Sequence, residues 1–157
     1  METEYRPPVR VALVDDQHLL REALSSLLDD TGSAEVVCSI RHSDESFESI
    51  VNSGAAVVLV GLDAQMCDPI AIVHRMASLH PQVAICALVA GGQPAKVHAA
   101  LGAGCGGAVS SAATLDTVIA ALVAVVSGQA YVDANLGGEA LSAQLTGKGL
   151  KYQTRCN

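Results

Sequence analysis

Apolar positions along the chain follow two alternating rhythms, short solid runs and longer stretches at helical spacing. Val9–Val14 is a run broken only by Arg10, and it stops at Asp15-Asp16. Leu19, Leu20, Ala23, Leu24, Leu27 and Leu28 then repeat at helical intervals up to Asp29-Asp30-Thr31-Gly32. Val36–Ile40 predicts a second strand. Ser43 can cap a helix through Phe47, Ile50 and Val51 to Gly54, and Ser43 with Ser46 makes a partial capping box. The uncharged run 56–62, Ala-Val-Val-Leu-Val-Gly-Leu, predicts a strand buried on both faces. Pro69 suits the first turn of a helix through Ile70, Val73, Met76 and Leu79, which His80-Pro81 breaks. Val83–Val89, Pro94–Ala103, Gly107–Val109 and Thr114–Val126 read as strand, helix, strand and helix, ended by Ser127-Gly128.

Five strands alternating with helices predict an α/β fold, a doubly wound five-stranded parallel sheet with helices on both faces. In such sheets working residues gather at the carboxyl ends of the strands. That directs attention to Asp15 and Asp16, Ile40, Gly61, Val89 and Ser111.

Composition narrows the function. Of 157 residues, 50% are hydrophobic and 16% charged, the balance of a folded globule with its own core. A net charge of −7 makes the body a poor match for nucleic acid, so no direct contact with it is expected from this fragment. Met1 to Pro8 is polar, without a signal-peptide core, and the longest apolar run, Val118 to Val126, is too short to span a bilayer. The five cysteines form no C-x-x-C pair and read as reduced core residues, which points to a cytoplasmic protein. The five histidines are scattered with no i,i+4 pair, so no metal site is expected. Gly102 to Gly107 satisfies G-x-G-x-x-G but follows a helix and precedes a strand, the reverse of a dinucleotide-binding turn. No G-x-S-x-G turn or Cys–His pairing supports hydrolase chemistry, and the chain is not expected to be an enzyme.

Several motifs share one register. Asp15-Asp16 precedes Leu20-Arg21-Glu22, His80-Pro81 ends a helix, and Ala100-Leu-Gly-Ala-Gly-Cys-Gly-Gly107 leads into a strand. On these motifs, residues 9 to about 145 resemble the receiver domain of bacterial response regulators of the NarL/LuxR type. The resemblance implies the (βα)5 flavodoxin-like receiver fold and a phosphorylation switch. That switch needs an acidic pair and an acceptor aspartate around Mg²⁺, with a lysine, a Thr or Ser hydroxyl and a switch aromatic. On the family's spacing only the acids Asp15 and Asp16 are retained. The acceptor position falls on Gly61, the hydroxyl position on Val89, the aromatic position on Ala108 and the lysine position on Ser111.

The resemblance therefore implies a receiver that is not phosphorylated and binds Mg²⁺ weakly at most. Asp63 with Met66 imitates the family's Asp-x-x-Met. Making Asp63 the acceptor requires a two-residue insertion and a compensating deletion, and leaves Val89 and Ser111 unexplained. Asp15 and Asp16 also suit a plain role at a helix start. Loss of side chains at the crevice leaves room for a small ligand among Asp15, Asp16, Gly61, Asp63, Val89, Ser110 and Ser111, unless Val89 and its neighbours collapse over the gap.

The expected organisation is an N-terminal extension 1–8, a receiver-like domain 9–128 and a linker or extra helix 129–146 toward a missing helix-turn-helix domain. The tail 147–157 matches nothing in the resembled family and reads as a truncation scar, with a native end or frame change as alternatives. The expected function is phosphorylation-independent control of an attached DNA-binding domain, by homodimerisation and small-ligand sensing. The alternative is a stand-alone ligand-binding or protein-interaction module without DNA output. For the dimer, Val97, Ala100 and Leu101 with Val118, Leu122 and Val125 supply apolar residues, and Ala99, Ala121 and Ala124 permit close approach. The first and fifth helices are the other candidate face.

Overall fold

A computed structural model describes residues 6–42, 46–64, 67–91 and 93–136. The expected cap at Ser43, Met66, and the segment from 137 to the tail lie outside the described residues.

Strand follows helix in the order β1 Val9–Val14, α1 His18–Thr31, β2 Ala34–Ile40, α2 Ser46–Asn52, β3 Val57–Gly61, α3 Pro69–Leu79, β4 Ala84–Val89, α4 Pro94–Ala103, β5 Gly107–Ser110 and α5 Leu115–Val126. The elements match the sequence pattern to within two or three residues. Local chemistry explains their ends. Asp68 accepts hydrogen bonds from the Ile70 and Ala71 amides at the start of α3, with Pro69 in the first turn. The Thr114 hydroxyl accepts from Thr117 N–H to open α5. Gly32 ends α1 at φ 72°, a left-handed position where a side chain would strain the backbone.

All strands pair in parallel in the order β2-β1-β3-β4-β5-β6. Residues of the central strands point alternately to the two faces. Val11, Leu13, Val57 and Leu59 pack with Leu28, Val118, Leu122 and Val125 under α1 and α5. Ala12, Val14, Val58 and Val60 pack with Phe47, Ile50, Val73, Met76 and Val97 under α2, α3 and α4. Burial on both sides is why these strands are continuously apolar. Topology reverses between β1 and β3, which opens the crevice at their carboxyl ends.

The sheet has six strands, not five. Tyr131–Val132 forms β6 on the edge of β5, followed by a 3₁₀ turn, Ala134–Leu136, where a linker or an amphipathic helix was expected. Asp133 holds this addition in place. It is buried, accepts hydrogen bonds from Ser110 N–H and Asn135 N–H, and so ties the turn to the end of β5. Close approach of β6 also explains Gly107: a Cβ there would lie 2.6 Å from Tyr131 O and 2.8 Å from Val125 Cγ2.

The apolar residues assigned to a dimer face have another use. Val97, Ala100 and Leu101 are buried under the sheet, as are Val118, Ala121, Leu122 and Val125. Both helices need a wide stripe because each also packs on a neighbour, α4 on α3 and α5 on α1. Apolar surface that remains open lies elsewhere: Leu19 is 78% exposed and Leu27 50% on α1, and Val123 and Val126 are exposed on α5. Among the described residues no helix is long and apolar enough to cross a membrane.

Candidate functional site

The loops after β1, β2 and β3 meet at the crevice, and each brings a polar side chain. Asp15 and Asp16 follow β1, His42 follows β2, and Gly61 ends β3 with Cys67 in the loop beyond it. Asp15 is buried and its Oδ1 accepts the Gln17 N–H at 2.8 Å. The bond satisfies the amide of Gln17, the residue before α1, although no side chain caps the helix itself. Its other oxygen occupies the space beside Gly61. A Cβ built on Gly61 would collide with Asp15 Oδ2 and stand 2.8 Å from Asp15 Cγ. The room vacated at position 61 is filled by the carboxylate next to it.

Asp63 is bonded on the β4–α4 side. Its carboxylate accepts the Ala90 N–H at 2.9 Å and pairs with Lys96 Nζ at 2.8 Å, joining the β3–α3 loop to the start of α4. Burial pushes its pKa up, but the hydrogen bonds from Lys96 and Ala90 and the Lys96 charge outweigh that, and the net shift is downward. Both oxygens are therefore engaged.

None of the described cavities is lined by the whole set of residues expected to form a ligand pocket. Val89 and Ala108 are fully buried in the core on the α3–α4 face. Ser110 is buried, with its hydroxyl accepting the Ala112 N–H, whereas Ser111 is exposed. The cavities at this end of the sheet lie to either side. One, of about 300 Å³, is bordered by Asp16, Arg41, His42 and Cys67. The other, about 220 Å³, is an apolar groove between α1 and α5, reaching Ser110 and Ser111 from Leu20, Leu24, Leu27 and Val118. A third cavity of about 340 Å³ lies at the opposite end of the sheet near Ala77, Val83 and Gly128, and no titratable side chain lines it.

His42 is the residue the sequence did not single out. Its side chain is 1% exposed, and Nε2 lies 2.8 Å from the Gly61 carbonyl oxygen. A carbonyl only accepts, so Nε2 carries the proton. Nδ1 stands 3.2 Å from Asp16 Oδ1, within ion-pair range but off the line that a hydrogen bond requires, and has no hydrogen-bond partner. The same Asp16 oxygen accepts the His42 backbone N–H at 3.2 Å. Asp16, His42 and Cys67 each bring a potential ligand atom within 4.8 Å of the others. Burial, then the charges of Asp16 and Asp68, raise the Cys67 pKa. Burial alone holds Cys86 at about 12. Histidine spacing gave no sign of this cluster because its members come from three separate strand ends.

A magnesium site of the kind the resemblance implies does not fit these residues. Mg²⁺ demands near-octahedral oxygen coordination and is reluctant to shed water. Here Gly61 brings no side-chain oxygen, and Asp15 Oδ2 fills the space beside it.

The order of the parallel strands gives the chain the fold of the receiver domains of NarL/LuxR-type response regulators. The isolated receiver domain of RcsB from Salmonella enterica serovar Typhimurium, solved with the phosphomimetic BeF3−, superposes with a TM-score of 0.72 at 19% identity, over 83% of this chain and 96% of that one. The receiver domain of NarL from Mycobacterium tuberculosis gives 0.71 at 24% identity, over 79% of this chain and all of that one (100%). In sequence, the transcriptional regulatory protein LnrK of Bacillus subtilis (strain 168) is 25% identical over 143 residues, 91% of this chain. The chain spans 65% of that protein's length. No family model matches the sequence.

Proposed function

We propose that this chain is a phosphorylation-independent receiver domain of a transcriptional regulator, non-catalytic and cytoplasmic, controlling an attached DNA-binding domain. The observation that carries the reading is Gly61. It ends β3 among the strand-end acids, lacks a side chain to accept a phosphoryl group, and has Asp15 filling the adjacent space. Asp63, the other candidate acceptor, has its carboxylate bonded to Ala90 and Lys96. The similarity to LnrK supports a role in transcription.

Without a phosphoryl trigger any dimer must be standing or ligand-dependent, and exposed Leu27 on the α1–α5 groove favours that face over α4–α5. A small ligand would then act through one of the two cavities flanking the crevice. Acetyl phosphate, or beryllofluoride with Mg²⁺, should leave the mass and oligomeric state of the protein unchanged. An aspartyl phosphate mapped to Asp63 by mass spectrometry would refute the reading and restore the shifted register.

A further inference from the structure

We propose that Asp16, His42 and Cys67 form a binding site for a borderline-soft divalent cation of the Zn²⁺ class. The case starts from the tautomer of His42. Because Nε2 donates to the Gly61 carbonyl, Nδ1 is the ring nitrogen left to act as a ligand, and it stands 3.2 Å from Asp16 Oδ1. Nδ1 is buried and has no hydrogen-bond partner among the described residues. A histidine whose second nitrogen is fixed by a backbone carbonyl is the usual outer-shell arrangement of a metal ligand.

The third ligand selects the metal. Cys67 Sγ lies within 4.8 Å of both other ligand atoms, and thiolate with imidazole and carboxylate favours Zn²⁺ over Mg²⁺ or Ca²⁺. Tetrahedral zinc at about 2.0–2.3 Å from each donor sets neighbouring ligands roughly 3.5 Å apart. The cluster need close by only on the order of 1 Å. Three protein ligands leave a fourth position facing the cavity of about 300 Å³, where water or a small anion beside Arg41 can bind. The placement also gives the cation leverage. It would bridge the loops after β2, β1 and β3, three neighbouring strands, and would hold the Gly61 carbonyl through His42. The site does not depend on the regulator reading, because binding alone is measured.

Zn²⁺ should be titrated into the reduced chain against a chromogenic chelator, with Co²⁺ as a spectroscopic probe of thiolate ligation. One equivalent should bind, with a thiolate-to-cobalt charge-transfer band. Cys67→Ser should abolish the band and weaken Zn²⁺ at least tenfold, while Cys38→Ser changes neither. Asp16→Asn keeps an oxygen for the His42 backbone N–H and should also weaken binding at least tenfold. Thermal melting of each apo variant checks the fold, so a loss of affinity in a folded variant is read as loss of a ligand. A band that survives Cys67→Ser, an affinity unchanged in both variants, or displacement of Zn²⁺ by millimolar Mg²⁺ overturns the site.

Discussion

Gly61 shows how much one residue can decide. Its missing side chain leaves a volume that Asp15 takes, so the crevice is closed by a carboxylate already bonded to the Gln17 N–H. Restoring even a methyl group forces Asp15 out of that position. Gly61→Ala should therefore cost stability by about 1–3 kcal/mol, the range for overpacking a filled site, as measured by denaturant unfolding. An unchanged midpoint would mean that Asp15 moves freely and the space is not truly filled. Asp63 offers a second test at this scale. Its folded-state pKa is depressed, so its contribution to stability is present above the ordinary carboxylate value, about pH 4, and is lost as pH falls through the lower folded value. Asp63→Asn should thus lower the melting temperature at pH 7, and the gap from the parent should close in strong acid. A gap that persists in acid would assign the loss to shape and not to charge.

At the scale of elements, the two candidate dimer faces separate by what each helix already covers. Val97, Ala100 and Leu101 of α4, and the main stripe of α5, are consumed inside the molecule, which leaves Ala99 exposed. The α1 helix instead leaves Leu19 open, and Leu27 open on the rim of an apolar groove shared with α5. Leu27→Glu adds a charge to that rim without touching the core. In sedimentation at micromolar concentration it should convert a dimer to a monomer, whereas Ala99→Glu on exposed α4 should have no effect. A charge at Ala121 could not serve as this test, since that side chain is fully buried. The reverse pattern, with Ala99→Glu disruptive and Leu27→Glu silent, would move the interface to α4.

For the whole molecule, the question is whether receiver geometry persists beneath the altered side chains. Gly61→Asp with Val89→Thr and Ser111→Lys returns acceptor, hydroxyl and lysine to the positions that the resemblance assigns. If the strand ends keep their relative placement, the triple variant should gain Mg²⁺ affinity measurable by calorimetry, while Gly61→Asp alone should only destabilise. The single change crowds a third carboxylate against Asp15 and Asp16 without a neighbouring cation. A folded triple variant that binds no Mg²⁺ would show that the backbone has moved as well as the side chains.

Periodicity alone determined the order of the first ten elements and the class of sheet, because strands buried on both faces and amphipathic helices leave different apolar rhythms. It also fixed the strand ends as the place to look, and with them Asp15, Asp16 and Gly61. Three things were decided only by the tertiary structure. Tyr131–Val132 is too short for a periodic signal, and its pairing depends on the free edge of β5 and on Asp133 reaching Ser110. The apolar excess of α4 and α5 is ambiguous along the chain, since a residue facing a neighbouring helix reads the same as one facing a partner. The meeting of Asp16, His42 and Cys67 joins positions far apart in sequence, and parallel crossovers bring them together because they carry each strand's end to the same edge of the sheet.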